Sequence, residues 1–196
     1  MKKILVGCLL LAAVVVGLNP FLAGCGSNPA APVTVTQQAA PCPGAVGYAY
    51  VAGANASFQN YILAEGVSIA SSNPVTTSSL GLYIYDTSTH GQIRGAIYAG
   101  TSSGPTTLLA ESAPQSAVFD EWNEVPVPST VLGAGRFYWL AFQAQNTTYC
   151  ASDLSSTSGY DFVTTSTYVF GTFPSTMPAG SPPGNNPFMF YASTCP

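Results

Sequence analysis

One histidine and one run of acids are the only concentrated chemistry in this chain. His90 sits in the turn-like stretch Asp86-Thr-Ser-Thr-His-Gly91. Ser-His-Asp catalysis would need it beside a nucleophile with an orienting acid behind it; a turn histidine among Ser and Thr is ordinarily just solvated. The acids are Asp120-Glu121-Trp122-Asn123-Glu124. On a strand Asp120, Trp122 and Glu124 share one face, and Glu121 and Asn123 take the other. Two carboxylates on one face, with an indole as a sugar platform, would suit glycoside hydrolysis. The competing reading is a packed Trp122 on a strand whose acids discourage edge-to-edge pairing. Zinc is poorly served, because one histidine and a few thiols lack any CxxC-type spacing.

Tyrosines offer binding rather than catalysis. Leu80, Leu82 and Ile84 alternate with Gly81, Tyr83 and Tyr85, and Ile93, Gly95 and Ile97 alternate with Arg94, Ala96 and Tyr98. A period of two marks strands, and the turn cluster between the runs makes the pair read as a hairpin. Tyr83, Tyr85 and Tyr98 would then fall on one surface of adjacent strands. Such rings stack on the C–H faces of sugars, while Ser, Thr, Asn and Gln supply neutral hydrogen bonds. Asn146 and the 172–187 loop would form the rim. The alternative is that the rings only pack.

The elements that must position these residues are strands throughout. Phe137-Tyr-Trp-Leu-Ala-Phe142 is apolar on both faces, as expected of a central strand covered on both sides. Further candidates are Val46–Val51, Tyr61–Ile69, Thr107–Glu111, Phe119–Val127, Asp161–Phe170 and Phe188–Ala192. No stretch has a helical period of useful length. The pattern predicts an all-β fold, an antiparallel two-sheet β-sandwich of about eight or nine strands. Residues 172–187 hold Pro174, Pro178, Pro182, Pro183 and Pro187 with Gly180 and Gly184. That connection is long for a sandwich, and is either functional or a proline-stiffened surface loop.

Composition narrows the partners. Of 196 residues only 6% are charged, against about 25% in an average soluble domain. Four Lys and Arg cannot build the cationic face that nucleic acid requires, so none is expected as a partner. Hydrophobic residues at 47% supply ample core material and exclude charge-driven disorder.

The N-terminus reads as an address. Lys2 and Lys3 precede an apolar run from Ile4 to Leu18, ended by Asn19 and Pro20. The run is shorter than the roughly 20 residues of a spanning helix, so a cleaved secretory signal is the better reading. Leu22-Ala23-Gly24-Cys25 then resembles a bacterial lipobox. The resemblance implies cleavage after residue 24 and acylation of Cys25; the alternative is an ordinary signal with an incidental cysteine. Two or more acyl chains anchor stably. Gly26 is not the Asp that usually retains lipoproteins at the inner membrane, which favours outer-membrane or surface display. Loss of residues 1–24 leaves Arg94 and Arg136 against eight acids, a net charge of −6 with no lysine. That excludes Schiff-base chemistry, a P-loop and a polybasic membrane patch. Residues 25–41 form a tether rich in Pro, Ala, Thr and Gln, up to about 50 Å long if fully extended, and residues 42–196 form the domain.

Ile93-Arg-Gly-Ala-Ile-Tyr98, Pro105-Thr-Thr-Leu-Leu-Ala-Glu-Ser112, Trp122-Asn123 and Gly135-Arg-Phe-Tyr-Trp-Leu-Ala-Phe142 together resemble one recurrent module. It is the jelly-roll module of secreted and surface-anchored bacterial and archaeal proteins. The resemblance spans roughly residues 45–192, implies a jelly-roll sandwich with Trp122 in its core, and carries no agreed catalytic residues; fold does not fix function. Jelly rolls often hold a structural calcium, which Asp120, Glu121 or Asp153 with backbone carbonyls would bind; no other cofactor is expected. Their first and last strands commonly run side by side. That would bring Cys42 to Cys195 in a disulfide stabilising the fold by about 4–5 kcal/mol, with Cys150 free or paired between molecules. Cys150–Cys195 is the alternative.

Together these features predict a membrane-anchored, surface-exposed binding module without catalysis, with carbohydrate as the first ligand class. A structural or adhesive envelope lipoprotein that binds protein neighbours is the rival, and a glycan-acting enzyme the third reading.

Overall fold

The computed structural model describes residues 44–51, 54–87, 91–152, 159–164, 168–181 and 184–194, all within the compact unit Val35–Pro196. Cys25, Cys42, His90, Asp153 and Cys195 lie outside the described residues, and with them the lipobox and the Cys42–Cys195 pairing.

Twelve strands run along the described chain: β1 (Ala45–Gly47), β2 (Ala54–Phe58), β3 (Leu63–Ser68), β4 (Val75–Thr87), β5 (Gln92–Thr101), β6 (Gly104–Glu111), β7 (Gln115–Ser116), β8 (Glu121–Leu132), β9 (Phe137–Ala144), β10 (Thr148–Ser152), β11 (Asp161–Val163) and β12 (Phe190–Ser193). They form two antiparallel sheets. In one, β4 pairs with β8 on one side and with β12 and β10 on the other, and these continue to β1 and β2. The second runs β11-β3-β9-β5-β6, with β7 also on β5. Eight strands carry the wrap. β1 pairs β12, β3 pairs β9, β4 pairs β8 and β5 pairs β6, first with last inward to the middle. This nesting is a long hairpin rolled across two sheets, the jelly-roll order. The Ala45↔Ser193 register, with the Thr194 N–H donating to the Gly44 carbonyl at 2.7 Å, makes the expected neighbours of the first and last strands.

Alternation explains the sandwich. Leu80, Leu82 and Ile84 of β4, Ile93 and Ile97 of β5, Leu140 and Phe142 of β9 and Phe190 of β12 all enter one core between the sheets. The expected hairpin of Leu80–Tyr85 with Ile93–Tyr98 is therefore corrected. β4 and β5 lie in opposite sheets and face each other across that core. Alternation reports which side of a strand is buried, and that side is the same for a hairpin and for a crossing. Cys150 is fully buried in this core.

The second sheet is apolar on its outer side as well. Ile62, Ala64, Ala96, Tyr98, Trp139, Ala141 and Phe162 form a separate cluster closed by Phe173 and Met177. Those last two come from the proline-rich connection. It is neither a free loop nor a rim: it is a strap laid over the sheet from edge to edge. The Leu108 N–H donates to Ser175 O at 2.9 Å and the Met177 N–H to Thr106 O at 2.9 Å, closing the β6 edge. The Ser181 N–H donates to Val163 O at 2.8 Å and the Gly184 N–H to Asp161 O at 3.0 Å, closing the β11 edge. Unpaired edges invite intermolecular pairing, and one segment removes two of them. On the other sheet, exposed Pro126 and Pro128 interrupt the free edge of β8.

One ion pair pins the strap. Buried Arg94 reaches Glu111 Oε2 with Nη2 at 3.1 Å and donates twice to the Ser112 carbonyl. The same Glu111 oxygen accepts the Phe173 N–H at 2.9 Å, while the guanidinium lies 5.8 Å from the centroid of the Phe173 ring. Phe173→Ala should destabilise the domain by about 3 kcal/mol, the low end for a buried phenylalanine. It should also open 168–181 to limited proteolysis before the sheets unfold. Unchanged cleavage kinetics in that segment would show that the strap is held elsewhere.

Candidate functional site

The predicted tyrosine surface does not exist as one surface. Tyr83 and Tyr85 lie on the outer face of the β4 sheet and Tyr98 on the outer face of the β5 sheet, on opposite sides of the sandwich. Tyr98 is fully buried under the strap and its hydroxyl donates to Pro174 O at 2.8 Å. Burial first, then nearby Glu111, raises its pKa. Asn146 is half-buried beyond the C-terminal end of β9, against Gly91, and joins neither group.

The acid run and Tyr83 do come together. β8 turns Trp122 outward onto Tyr83 and Tyr191, with ring centroids 5.6 and 4.9 Å away, both edge-on. Trp122 is thus buried, though in an outer-face cluster rather than between the sheets. Tyr191 lies flat over Gly81, where a Cβ would stand 2.2 Å from the ring, so only glycine fits. Asp120 sits in a left-handed turn at φ 57° and accepts the Tyr83 hydroxyl at 2.9 Å. Glu124 accepts the Tyr191 hydroxyl on one oxygen and Ser79 Oγ on the other at 2.8 Å. Burial pushes Tyr83 up to about 12, helped by its bond to Asp120, and raises Tyr191 likewise beside Glu124. Both hydroxyls therefore stay protonated as donors. Two carboxylates are spent holding an aromatic cluster, and edge-on buried rings present no flat platform to a sugar.

Glu121 remains exposed. Asn123, turned inward, ties the β7–β8 connection by accepting the Val118 N–H at 2.8 Å and donating to Val118 O at 2.7 Å. Among the described residues no three His, Cys, Asp or Glu side chains converge on a point where a cation could sit.

Two residues that sequence reasoning passed over stand out. Glu65 is the one acid in Leu63-Ala-Glu-Gly-Val67, on the core side of β3 and fully buried. It accepts the Tyr160 N–H at 3.2 Å and the Phe188 N–H at 2.9 Å, joining the chain before β11 to the chain before β12. Burial dominates those two donors and, with Asp161 nearby, raises its pKa to about 9. The signal was visible as a lone acid in a strand apolar on both faces.

The other is Arg136. At one end of the sandwich, Ala99–Ser102, Leu109, Val131 and Gly135–Tyr138 line an open groove of about 640 Å³. That volume is within the roughly 300–1,000 Å³ of small-ligand sites. Gly135, left-handed at φ 66°, makes the turn that delivers Arg136 and the next strand to the groove. Among the described residues the only ion pair is that of Arg94, so the exposed Arg136 guanidinium is unpaired. Tyr138 Oη accepts the Gly133 N–H at 2.7 Å, and the Thr101 and Ser102 side chains lie on the groove's margin. A smaller depression of about 240 Å³, lined by Gly47, Tyr48, Gly66–Ser68, Phe137 and Tyr160, adjoins it and shares Phe137. In a chain of 196 residues with two arginines, each arginine was a signal in itself.

The chain matches no family model, no curated protein and no solved structure.

Glu65 yields a signed pH dependence. In the unfolded chain its carboxyl ionises above the ordinary 4.5, whereas in the fold it keeps its proton to about 9. Between those limits the unfolded state holds fewer protons, so its contribution to stability falls as pH rises, by at most about 1.4 kcal/mol per pH unit. Glu65→Gln should flatten this fall and be the more stable protein at pH 8. Parallel melting-temperature profiles of the two proteins from pH 5 to 8.5 would contradict the assignment.

Proposed function

We propose that this protein is an exported, lipid-anchored binding module of the cell surface, without catalysis, and that carbohydrate is its ligand class. The observation that carries the reading is the end groove. Its lining combines Phe137, the hydroxyl-bearing Thr101, Ser102 and Tyr138, and one unpaired guanidinium, and no carboxylate is among its described lining residues. Apolar ring faces with a few neutral hydrogen-bonding groups suit a sugar. A glycosidase would need two carboxylates across a cleft, about 5–9.5 Å apart, and neither depression offers one. The ligand surface thus moves from Tyr83, Tyr85 and Tyr98, whose rings are packed, to the loops at one end of the sandwich.

The anchor part rests on the lipobox residues Leu22-Ala23-Gly24-Cys25 and the apolar run before them. Outer-membrane or surface display, a Cys42–Cys195 disulfide permitted by export, and a calcium-bearing turn belong to the same reading. The structural or adhesive alternative draws on the packed tyrosines and covered sheet faces, which leave protein neighbours as the partners.

Detergent-solubilised full-length protein should bind at least one glycan class on an array, with or without calcium; a blank array in both conditions favours the adhesive alternative. Cys25→Ala should move the protein from the membrane to the soluble fraction. Continued sedimentation with membranes would show that Cys25 is not the anchor.

A further inference from the structure

No described acid lines the groove of a strongly acidic molecule. After loss of the signal the chain carries eight acids and two arginines. One arginine is consumed by the strap, paired with Glu111. The acids whose side chains are described are likewise committed or remote. Glu65 is buried on two backbone N–H groups, and Asp161 Oδ1 accepts the Asn186 N–H at 3.1 Å. Asp120, Glu121 and Glu124 belong to the first residues of β8 and the turn before it, whereas the groove takes Val131 from the other end of that strand. Ten residues of strand at about 3.4 Å each separate Glu121 from Val131. That is well beyond the screening length of about 8 Å at physiological salt. Among the described residues, Arg136 therefore presents its charge to the groove with no acid lining it.

The geometry adds a second feature. Phe137 lines both depressions, which therefore meet at that residue. On the Arg136 half the polar groups gather: the guanidinium, Thr101, Ser102 and Tyr138. The other half is lined in part by Tyr48, Phe137 and half-exposed Tyr160, the last two with rings perpendicular at 5.1 Å. A ligand filling both halves needs an anionic group at one end and a ring with an apolar face at the other. A planar guanidinium matches a carboxylate with two parallel N–H···O bonds. Sugar rings supply the apolar C–H face and hydroxyls for the margin.

We infer that the two depressions form one binding track for a carboxylate-bearing saccharide, with Arg136 holding the sugar carboxylate and the Phe137–Tyr160 side taking the face of a neighbouring ring. This rests on the carbohydrate-binding reading above and names its ligand class and its specificity-determining residue.

The test compares an oligogalacturonate with its fully methyl-esterified form by titration calorimetry on detergent-solubilised full-length protein, wild type, Arg136→Gln and Arg136→Lys. Arg136 is exposed, and equal melting temperatures will establish that the variants fold. Esterification should weaken binding to wild type by about 10- to 100-fold, the size of a lost charge-assisted hydrogen bond. Arg136→Gln should lose as much toward the acid and no longer tell acid from ester, and Arg136→Lys should retain part of the preference. Wild type binding acid and ester equally, or Arg136→Gln binding the acid as well as wild type, overturns the role of Arg136 and leaves carbohydrate binding standing. Failure of wild type to bind either form overturns the inference too. A positive array with neutral glycans would then keep the broader reading, and a blank one would end both.

Discussion

Strand β9 carries large apolar side chains on both faces, and the rest of the molecule is arranged to bury them. Tyr138, Leu140 and Phe142 enter the core between the sheets, while Trp139 and Ala141 point the other way. A sandwich ordinarily leaves the outer faces of its sheets to water. This chain, with 6% charged residues, has little to put there. The outer face of the β5 sheet must therefore be covered, and residues 168–181 cover it with Phe173 and Met177. Each large apolar side chain so buried is worth about 1.5–3 kcal/mol. The cover is not perfect: the Gln143 side chain is buried on that face without a hydrogen-bond partner. Such a group costs about 1–3 kcal/mol, which offsets roughly one of the buried apolar side chains.

The other sheet solves the same problem with its own side chains. Tyr83, Trp122 and Tyr191 tile its outer face edge to face, and the two tyrosine hydroxyls are held by Asp120 and Glu124. With one face strapped and the other tiled, the sides of the sandwich have little left to offer a small ligand. What remains open is the end, where β5 turns into β6 and β8 turns into β9. Loops at the ends of a rigid scaffold are where binding residues concentrate. The proposed site lies at the end because the faces are closed.

The sandwich was legible because its signal is local. The alternation of Leu80–Ile84 and Ile93–Ile97, and the doubly apolar Phe137–Phe142, need no tertiary knowledge to mark strands. Strand ends were less so. β4 and β5 extend beyond the apolar alternation through Thr, Ser and Gly residues that give no periodic signal. β2, β7 and β10 went unseen because they are short and polar or small in composition. Pairing was misread at the β4–β5 connection, because a shared core looks the same from either sheet. Among site residues, the grouping of Trp122 with Asp120 and Glu124 could be read from parity along one strand. Tyr98 could not be separated from Tyr83 without knowing the sheet each joins. The strap was a proline-rich loop until Phe173 and Met177 were seen to land on Trp139's face.

Scarcity of charge makes the remaining charges informative. Arg94 and Arg136 have the same side chain and opposite fates, and backbone context decides between them. Arg94 lies mid-strand on an outer face that is covered, so its guanidinium must be paired, and Glu111 and the Ser112 carbonyl supply that. Arg136 follows a left-handed glycine at a sandwich end, where water satisfies the guanidinium and nothing compels a partner. A cation left in water beside an aromatic wall contributes little to the fold. Removing it should therefore leave stability nearly unchanged, and this separates it from every other charged contact described. Arg94 with Glu111 holds the strap, and Asp120 with Tyr83 and Glu124 with Tyr191 hold the aromatic cluster, whereas the Arg136 guanidinium has no ion-pair partner among the described residues. Its cation is available to a ligand because the fold has no use for it.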